Sequence, residues 1–336
     1  MGDIPFTMLF NDLLGIADEP VQLIERSFSD QKACKLTRNH LTEIVRSGIP
    51  FGEVIRITGP GGPGGQDELL GIAVLANSEG QDFWMIFVNT VCKDPGFTDL
   101  GDGLCEHAEN VCTVGTTDSQ FMDAIIEYYS IMLVNRMLCD RCISAKKSFS
   151  ELFSESRVDR LTTLLKTIEQ SSNTDFAGMD VLEICCGNGM ATIALSELGC
   201  DPFCLDSDSC AICEGLEHGV LAPHRSAVLD ATALSAFFDA ESFDCVIGFM
   251  LGAIYPFNKD LWARIMSESA VLLRENGLFI FTVHKEEEIS ILKEVMDEIG
   301  MIGEIIDNRD DAGVYDQWVY LGRKESSLGL RNRASI

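Results

Sequence analysis

The sequence predicts an α/β protein whose second half is a largely parallel sheet covered by helices on both faces, preceded by a smaller α+β module. Three observations carry this. From residue 181 onward, short apolar runs alternate with helix-like segments, the pattern of parallel strands joined by crossover helices. Before residue 146 the pattern differs, with strand-like runs in succession between two helix-rich stretches. At 336 residues and 46% hydrophobic content, the chain is long enough to bury two cores of ordinary size.

In the first module, residues 1–146, Pro20 to Ser47 reads as helical and "FGEVIRITG" as a strand. "LLGIAVLANSEGQDFWMIFVNTV" reads as two strands around an Asn-Ser-Glu-Gly turn. "SQFMDAIIEYYSIMLVNRMLCDRCISA" then predicts one long, largely buried helix. Between them, "ITGPGGPGGQDELLG" lacks the Gly-Lys-Ser/Thr of a phosphate-binding loop and reads as a mobile loop, a candidate lid.

The second region, residues 147–324, starts with a polar segment and a helix from Arg157 to Ile168. Strands are expected at Val181–Cys186, Pro202–Leu205, Ala227–Leu229, Phe243–Phe249 and Leu278–Val283. Helices are expected near Ala191–Leu198, Cys210–His218, Thr232–Phe238, Lys259–Leu273 and Glu286–Ile299. "MIGEIIDN" and "VYDQWVYLGR" predict a terminal hairpin added to the sheet edge, and residues 325–336 form a polar tail.

Composition excludes several classes. Twenty-five Lys+Arg against 53 Asp+Glu give a formal charge of −28, which repels phosphate backbones and disfavours nucleic acid as a partner. No apolar run approaches the roughly 18 residues of a membrane span, and the N-terminus has no basic leader, so a soluble, cytoplasmic protein is expected. Thirteen cysteines, an odd number, fit free thiols in a reducing compartment. Cys92, Cys105, His107, Cys112, Cys139 and Cys142 are soft-ligand types gathered in the first module. The Cys139-Asp-Arg-Cys142 pair lies in a helical pattern with no second such pair, so buried thiols are the better reading and no metal is assigned.

The chemistry concentrates in "DVLEICCGNGMATIALSELG", a strand, a glycine turn and a helix start. Such a turn lets backbone approach a ligand closely and offers the helix's first amide donors. A dinucleotide fingerprint wants Gly or Ala three positions after Gly189, where Thr192 stands. Asp206 ends the second strand and Asp230 follows the third. Each alone could cap a helix, but their placement at successive strand ends favours a shared ligand.

These positions together resemble the class I S-adenosylmethionine-dependent methyltransferases, from about Phe149 to Lys324. That family's first motif is acid-x-Gly-x-Gly-x-Gly; here it reads Glu183-Ile-Cys185-Cys186-Gly187-Asn188-Gly189, with Cys185 in place of the first glycine. The departure is mild provided residue 185 keeps a negative φ. The resemblance implies a Rossmann-like seven-stranded sheet and S-adenosyl-L-methionine as cofactor. It further implies that Glu183, Gly187 and Gly189 hold the methionine end, Asp206 the ribose, and Asp230 with Ala231 the adenine, with Phe249 also counted among the cofactor-binding residues. Beyond the fourth strand stands Gly248-Phe249-Met250-Leu251 rather than Asn/Asp-Pro-Pro-aromatic, which turns the expectation from nucleobase or glutamine amides toward small molecules and protein side chains.

The acceptor pocket is expected at the strands' carboxyl ends, from Phe249, Met250, Tyr255 and His284 with help from the first module. His284 is the candidate base and Tyr255 its candidate companion. Two alternatives stand beside this reading. One is a protein cysteine S-methyltransferase acting on methyl-coenzyme M reductase, suggested by an acidic, cysteine-rich composition that gives the impression of a methanogenic archaeon. The other is a non-catalytic cofactor-binding scaffold.

Overall fold

The computed structural model describes residues 8–16, 19–48, 51–61, 67–78, 80–135, 137–138, 147–310 and 313–324. The chain divides into two compact units, Met1–Leu138 and Cys139–Ile336. The Cys139/Cys142 pair, residues 62–66 of the candidate lid and the polar tail lie outside the described residues, while the lid's two ends belong to strands.

The first unit contains α1 (Leu9–Leu14), β1 (Val21–Leu23), α2 (Phe28–Ala33), α3 (Lys35–Ser47), β2 (Phe51–Gly59), β3 (Glu68–Ser78), β4 (Gln81–Val88), α4 (Phe97–Cys105), β5 (Ala108–Gly115) and α5 (Asp118–Val134). Its five-stranded sheet runs β1-β4-β3-β2-β5, with β1 parallel to β4 and β5 parallel to β2. The hairpin predicted around Asn77–Gly80 is β3–β4, in antiparallel register from Gly71↔Val88 to Ser78↔Gln81. Leu41, Val54, Ile72, Phe87, Phe97 and Leu104 form its core.

The structure departs from the sequence expectations in several places. Pro20 to Ser47 is not one helical run: Val21–Leu23 extends and pairs with Trp84–Ile86, and Cys34 at φ 53° separates α2 from α3. Helix α4 and strand β5 carry no sequence signal that announces them. β5 borders only β2 and leaves most of its residues exposed, Val111 and Cys112 among them, so it lacks the buried alternation that marks a strand in sequence. Exposed Cys112 also departs from the buried-thiol reading, and α5 ends at Val134, short of the run read as helix.

The second unit contains α6 (Phe149–Leu152), α7 (Glu155–Ser172), β6 (Val181–Ile184), α8 (Met190–Glu197), β7 (Phe203–Asp206), α9 (Ser209–Glu217), β8 (Ser226–Val228), β9 (Phe243–Gly248), α10 (Lys259–Leu272), β10 (Leu273–Val283), α11 (Glu286–Glu298), β11 (Ile302–Asp307) and β12 (Trp318–Arg323). Its seven strands are ordered β11-β12-β10-β9-β6-β7-β8. β12 is antiparallel to both β10 and β11, so the predicted edge hairpin is present; every other pairing is parallel. Thr232–Phe238, expected as an α-helix, is instead a 3₁₀ stretch over Ala231–Ala236 kinked at Ala233.

The order reverses at β6. From it the chain steps outward to β7 and β8, then returns to lay β9 on β6's other side. At such a switch point the crossovers leave in opposite directions and open a crevice at the carboxyl ends. β6 is buried on both faces, and Leu165, Phe176, Val181, Leu195, Ile247 and Ile280 belong to the core around it.

Helix α9 packs hard beside this crevice. A Cβ built on Gly215 would lie 2.6 Å from the Asn188 carbonyl oxygen and 2.6 Å from Leu221 Cδ1, so only glycine allows the approach. Gly215→Ala is expected to destabilise the protein by about 1–3 kcal/mol through overpacking against backbone that cannot rotate away. Urea unfolding checks this; an unchanged midpoint would show that α9 and the turn can separate freely.

Candidate active site

The first strand ends in the turn that the sequence singled out. Cys185, Gly187 and Gly189 adopt φ values of 53°, 58° and 83°. The expectation of a negative φ at residue 185 is therefore corrected. A cysteine occupies the left-handed region, where the Cβ crowds the backbone at a cost of roughly 1–2 kcal/mol. Gly189 is required twice, by its φ and by Leu221 and Val220, whose side chains stand 2.7 and 2.9 Å from where a Cβ would be. At Gly187 that position is open space.

Two carboxylates hold the turn. Asp206, the last residue of β7, accepts the Gly187 amide on Oδ2 at 2.9 Å and the Asp208 amide on Oδ1 at 2.8 Å. It is not a helix cap: Asp208 caps α9, accepting the Cys210 and Ala211 amides. Each Asp206 oxygen keeps a lone-pair direction for another donor. Beneath the turn, Glu183 is only 1% exposed. Its Oε2 accepts the Thr192 hydroxyl at 2.7 Å and the Cys204 thiol at 3.6 Å, while Oε1 is buried with no partner. Thr192, which spoils a dinucleotide fingerprint, thus serves the carboxylate instead.

Burial pushes the Glu183 carboxyl up from 4.5 to about 7, against the opposing pull of its Thr192 and Cys204 hydrogen bonds and of Arg157. Burial likewise raises the Cys185 thiol to about 12, helped by the Asp206, Asp230 and Glu183 carboxylates. Cys186 is raised as well. Both thiols stay protonated near neutral pH and are poor nucleophiles.

Further along the sheet, Asp230 is exposed beyond β8 and its Oδ1 accepts the Thr232 amide at 2.8 Å, so it does cap the 3₁₀ stretch. Ala231 is buried beside it. Across the switch point Phe249 is buried after β9, and Met250 follows at φ 53°. Tyr255 is exposed and stacks on Phe257 with ring centroids 5.3 Å apart. His284 is exposed just past β10. A cavity of about 710 Å³ is lined by Phe149, Phe153, Arg157, Asn188, Met190 and Tyr315 among others; Phe249, Met250, Tyr255 and His284 are not among its walls. The contribution of α6 and the start of α7 was not foreseen, because nothing local in "KKSFSELFSESR" signals contact with the turn.

No cluster of three or more metal-binding side chains exists among the described residues. Cys92 and Cys105 are half-buried and Cys112 is exposed.

Residues 181–277 match the family model described as a methyltransferase domain. No curated protein matches the chain. Similar solved structures include a protein from Pyrococcus horikoshii OT3, 17% identical, covering 51% of this chain and 92% of that one at a TM-score of 0.40. Another is described as a putative S-adenosylmethionine-dependent methyltransferase from Listeria monocytogenes, 13% identical over 51% of this chain and 99% of that one, TM-score 0.38. A third, an S-adenosylmethionine-dependent O-methyltransferase from Thermotoga maritima, is 12% identical over 58% and 71% of the two chains, TM-score 0.37.

Glu183 makes stability depend on pH. Its folded value lies above its unfolded one, so its favourable contribution is complete below about pH 4.5 and is lost as pH rises through about 7. Glu183→Gln removes this dependence. Relative to wild type, the variant should gain up to about 3 kcal/mol between pH 4.5 and pH 8, measured by urea unfolding at both. A gain in the opposite direction would mean that the carboxylate is stabilised where it stands.

Proposed function

We propose, for a chain whose second unit is a class I methyltransferase domain, that it moves a methyl group from S-adenosyl-L-methionine to a small-molecule or protein side-chain acceptor. The observation that carries this reading is the set of groups at three successive strand ends: the glycine turn after β6, Asp206 ending β7, and Asp230 after β8. The residues fit the cofactor. Gly187 leaves room for close approach, Asp206 retains acceptor capacity for ribose hydroxyls, and exposed Asp230 with buried Ala231 offers an acceptor and an apolar edge to adenine. Beneath the turn, Glu183 has a buried oxygen with no protein partner, a candidate acceptor for the methionine end.

The cofactor supplies an electrophilic methyl on a sulfonium. The chain's task is then to align the acceptor behind that methyl and to exclude water. Phe249 and Met250, on the lip facing the glycine turn, suit that task. A base is needed only for an acceptor that carries a proton, and His284 and Tyr255, both exposed near the carboxyl ends, are the candidates. Acceptor selection we assign to the first unit, which carries no cofactor motif.

No helix among the described residues is long and apolar enough to cross a membrane. With a formal charge of −28, the chain repels polyanions, which argues against nucleic acid as acceptor.

Calorimetry with S-adenosylmethionine and S-adenosylhomocysteine tests the reading; absence of heat with both would sink it. Asp206→Ala should weaken binding by ~1.5 to 3 kcal/mol, the worth of a hydrogen bond to a charged group. Unchanged affinity would reduce Asp206 to a support of the turn. Incorporation of labelled methyl into extract fractions separates an enzyme from a cofactor-binding scaffold.

A further inference from the structure

Met250 holds a left-handed backbone, φ 53°, two residues beyond the end of β9. Neither its residue type nor a turn motif calls for it. A non-glycine residue there pays the left-handed penalty, equivalent to a roughly five- to thirtyfold bias against the conformation, so something nearby must impose it. The imposing groups are specific. The Met250 amide donates to Thr282 Oγ1 at 2.7 Å, and the next amide, of Leu251, donates to the Thr282 carbonyl at 3.0 Å. The Thr282 hydroxyl in turn donates to Asp316 Oδ1 at 2.5 Å. The Asp316 amide reaches back to Met250 Sδ at 3.1 Å, which closes a ring of three residues.

Asp316 is itself left-handed, φ 56°, and its carboxylate is 4% exposed. Arg157, 14% exposed, grips it with Nε at 2.8 Å from Oδ2 and Nη2 at 3.3 Å from Oδ1. Arg157 also lies over the Tyr315 ring at 5.0 Å, and Arg160 donates to the Tyr315 carbonyl at 3.1 Å. Three elements far apart in the sequence, α7, β10 and the stretch before β12, therefore converge on one backbone turn.

That turn forms one lip of the switch-point crevice. β9 lies against β6, and a Cβ on Gly248 would be 3.3 Å from the Ile184 carbonyl, so the segments leaving the two strands start side by side. One lip begins with Cys185 and the other with Phe249 and Met250, and both carry a strained non-glycine residue. Strain that persists at a ligand crevice is held there by over-determined surroundings.

We propose that Thr282 and Asp316, secured by Arg157, are positioning residues that hold the Met250 lip in its ligand-ready form before any ligand arrives. The inference rests on the cofactor reading above only for what the crevice binds. Neither residue touches the ligand; they act through the Met250 backbone. A formed lip spares the ligand the cost of ordering it, so losing the brace appears as weaker binding together with a mobile Met250.

The test uses the full chain labelled with ¹³C-methyl methionine, the Met250 signal being assigned by its loss in Met250→Leu. Thr282→Val removes the hydroxyl at nearly equal volume, and Thr282→Ser keeps it. In wild type and Thr282→Ser, one sharp Met250 resonance is expected that moves on adding S-adenosylhomocysteine. In Thr282→Val it should broaden or split without ligand, and S-adenosylhomocysteine affinity should fall about tenfold, about 1.4 kcal/mol. Adding Met250→Gly to Thr282→Val should recover most of that affinity, because glycine takes the left-handed turn unaided. A bracket that served stability alone would lower the melting temperature while leaving the resonance sharp and the affinity within twofold, and that result would overturn the proposal. Should Thr282→Val not fold, Asp316→Asn reads the same contact under the same criteria. If wild type fails to bind S-adenosylhomocysteine, the cofactor reading falls, while the ligand-free resonance still decides whether the brace exists.

Discussion

The second unit depends on one constraint: a strand buried on both faces must end in a turn that leaves the sheet and reaches solvent. β6 is that strand. Nothing in its own sequence keeps the following turn open, since a glycine-rich segment left to itself samples many conformations. The Asp206–Gly187 hydrogen bond supplies the missing restraint, tying the end of β7 to the middle of the turn. It links the neighbouring parallel strands where their ladder has already ended.

Glu183 answers a different demand. A carboxyl group under the turn is costly to bury charged, and here it has two donors for one oxygen and none for the other. A buried acceptor left incomplete costs on the order of 1–3 kcal/mol in the ligand-free protein. Thr192 and Cys204 keep the group from being worse off, and their positions on α8 and β7 explain why both elements pack closely against the turn.

Much of this was legible in the sequence, and the reason is locality. The strands of the parallel sheet are apolar on both faces, and turn residues bound them, so the runs beginning at Val181, Phe243 and Leu278 stand out. Glu183, Gly187 and Gly189 fall within seven residues, and Asp206 and Asp230 each end a short apolar run. What escaped detection lacks such signals. β5 is paired on one side and mostly exposed, so its pattern reads as loop. Cys34 breaks a helical run by adopting a left-handed backbone that its residue type does not advertise. The left-handed turn at Cys185 belongs with these, since a glycine there would have announced the conformation that a cysteine conceals. Thr282 and Asp316 are invisible for a plainer reason: they lie 32 and 66 residues from Met250 along the chain, and only the folded sheet brings them together.

The strained positions share a geometry that follows from the sheet itself. Parallel strands twist and end at staggered heights, so a chain leaving β6 or β9 must turn away at once to let the ligand crevice form between them. A left-handed residue makes the sharpest single-residue change of direction available, and glycine is the usual choice because it makes that change without a steric cost. In the second unit, Cys185 and Met250 stand on the facing lips, and Asp316 belongs to the bracket that holds one of them. A side chain at such a position does something glycine cannot. The Met250 thioether accepts the Asp316 amide and so takes part in its own restraint, whereas glycine would leave that amide to find another partner. The Cys185 thiol, half-buried and protonated, adds an apolar surface at the crevice edge without adding a nucleophile. Both residues exchange backbone comfort for a defined side-chain surface.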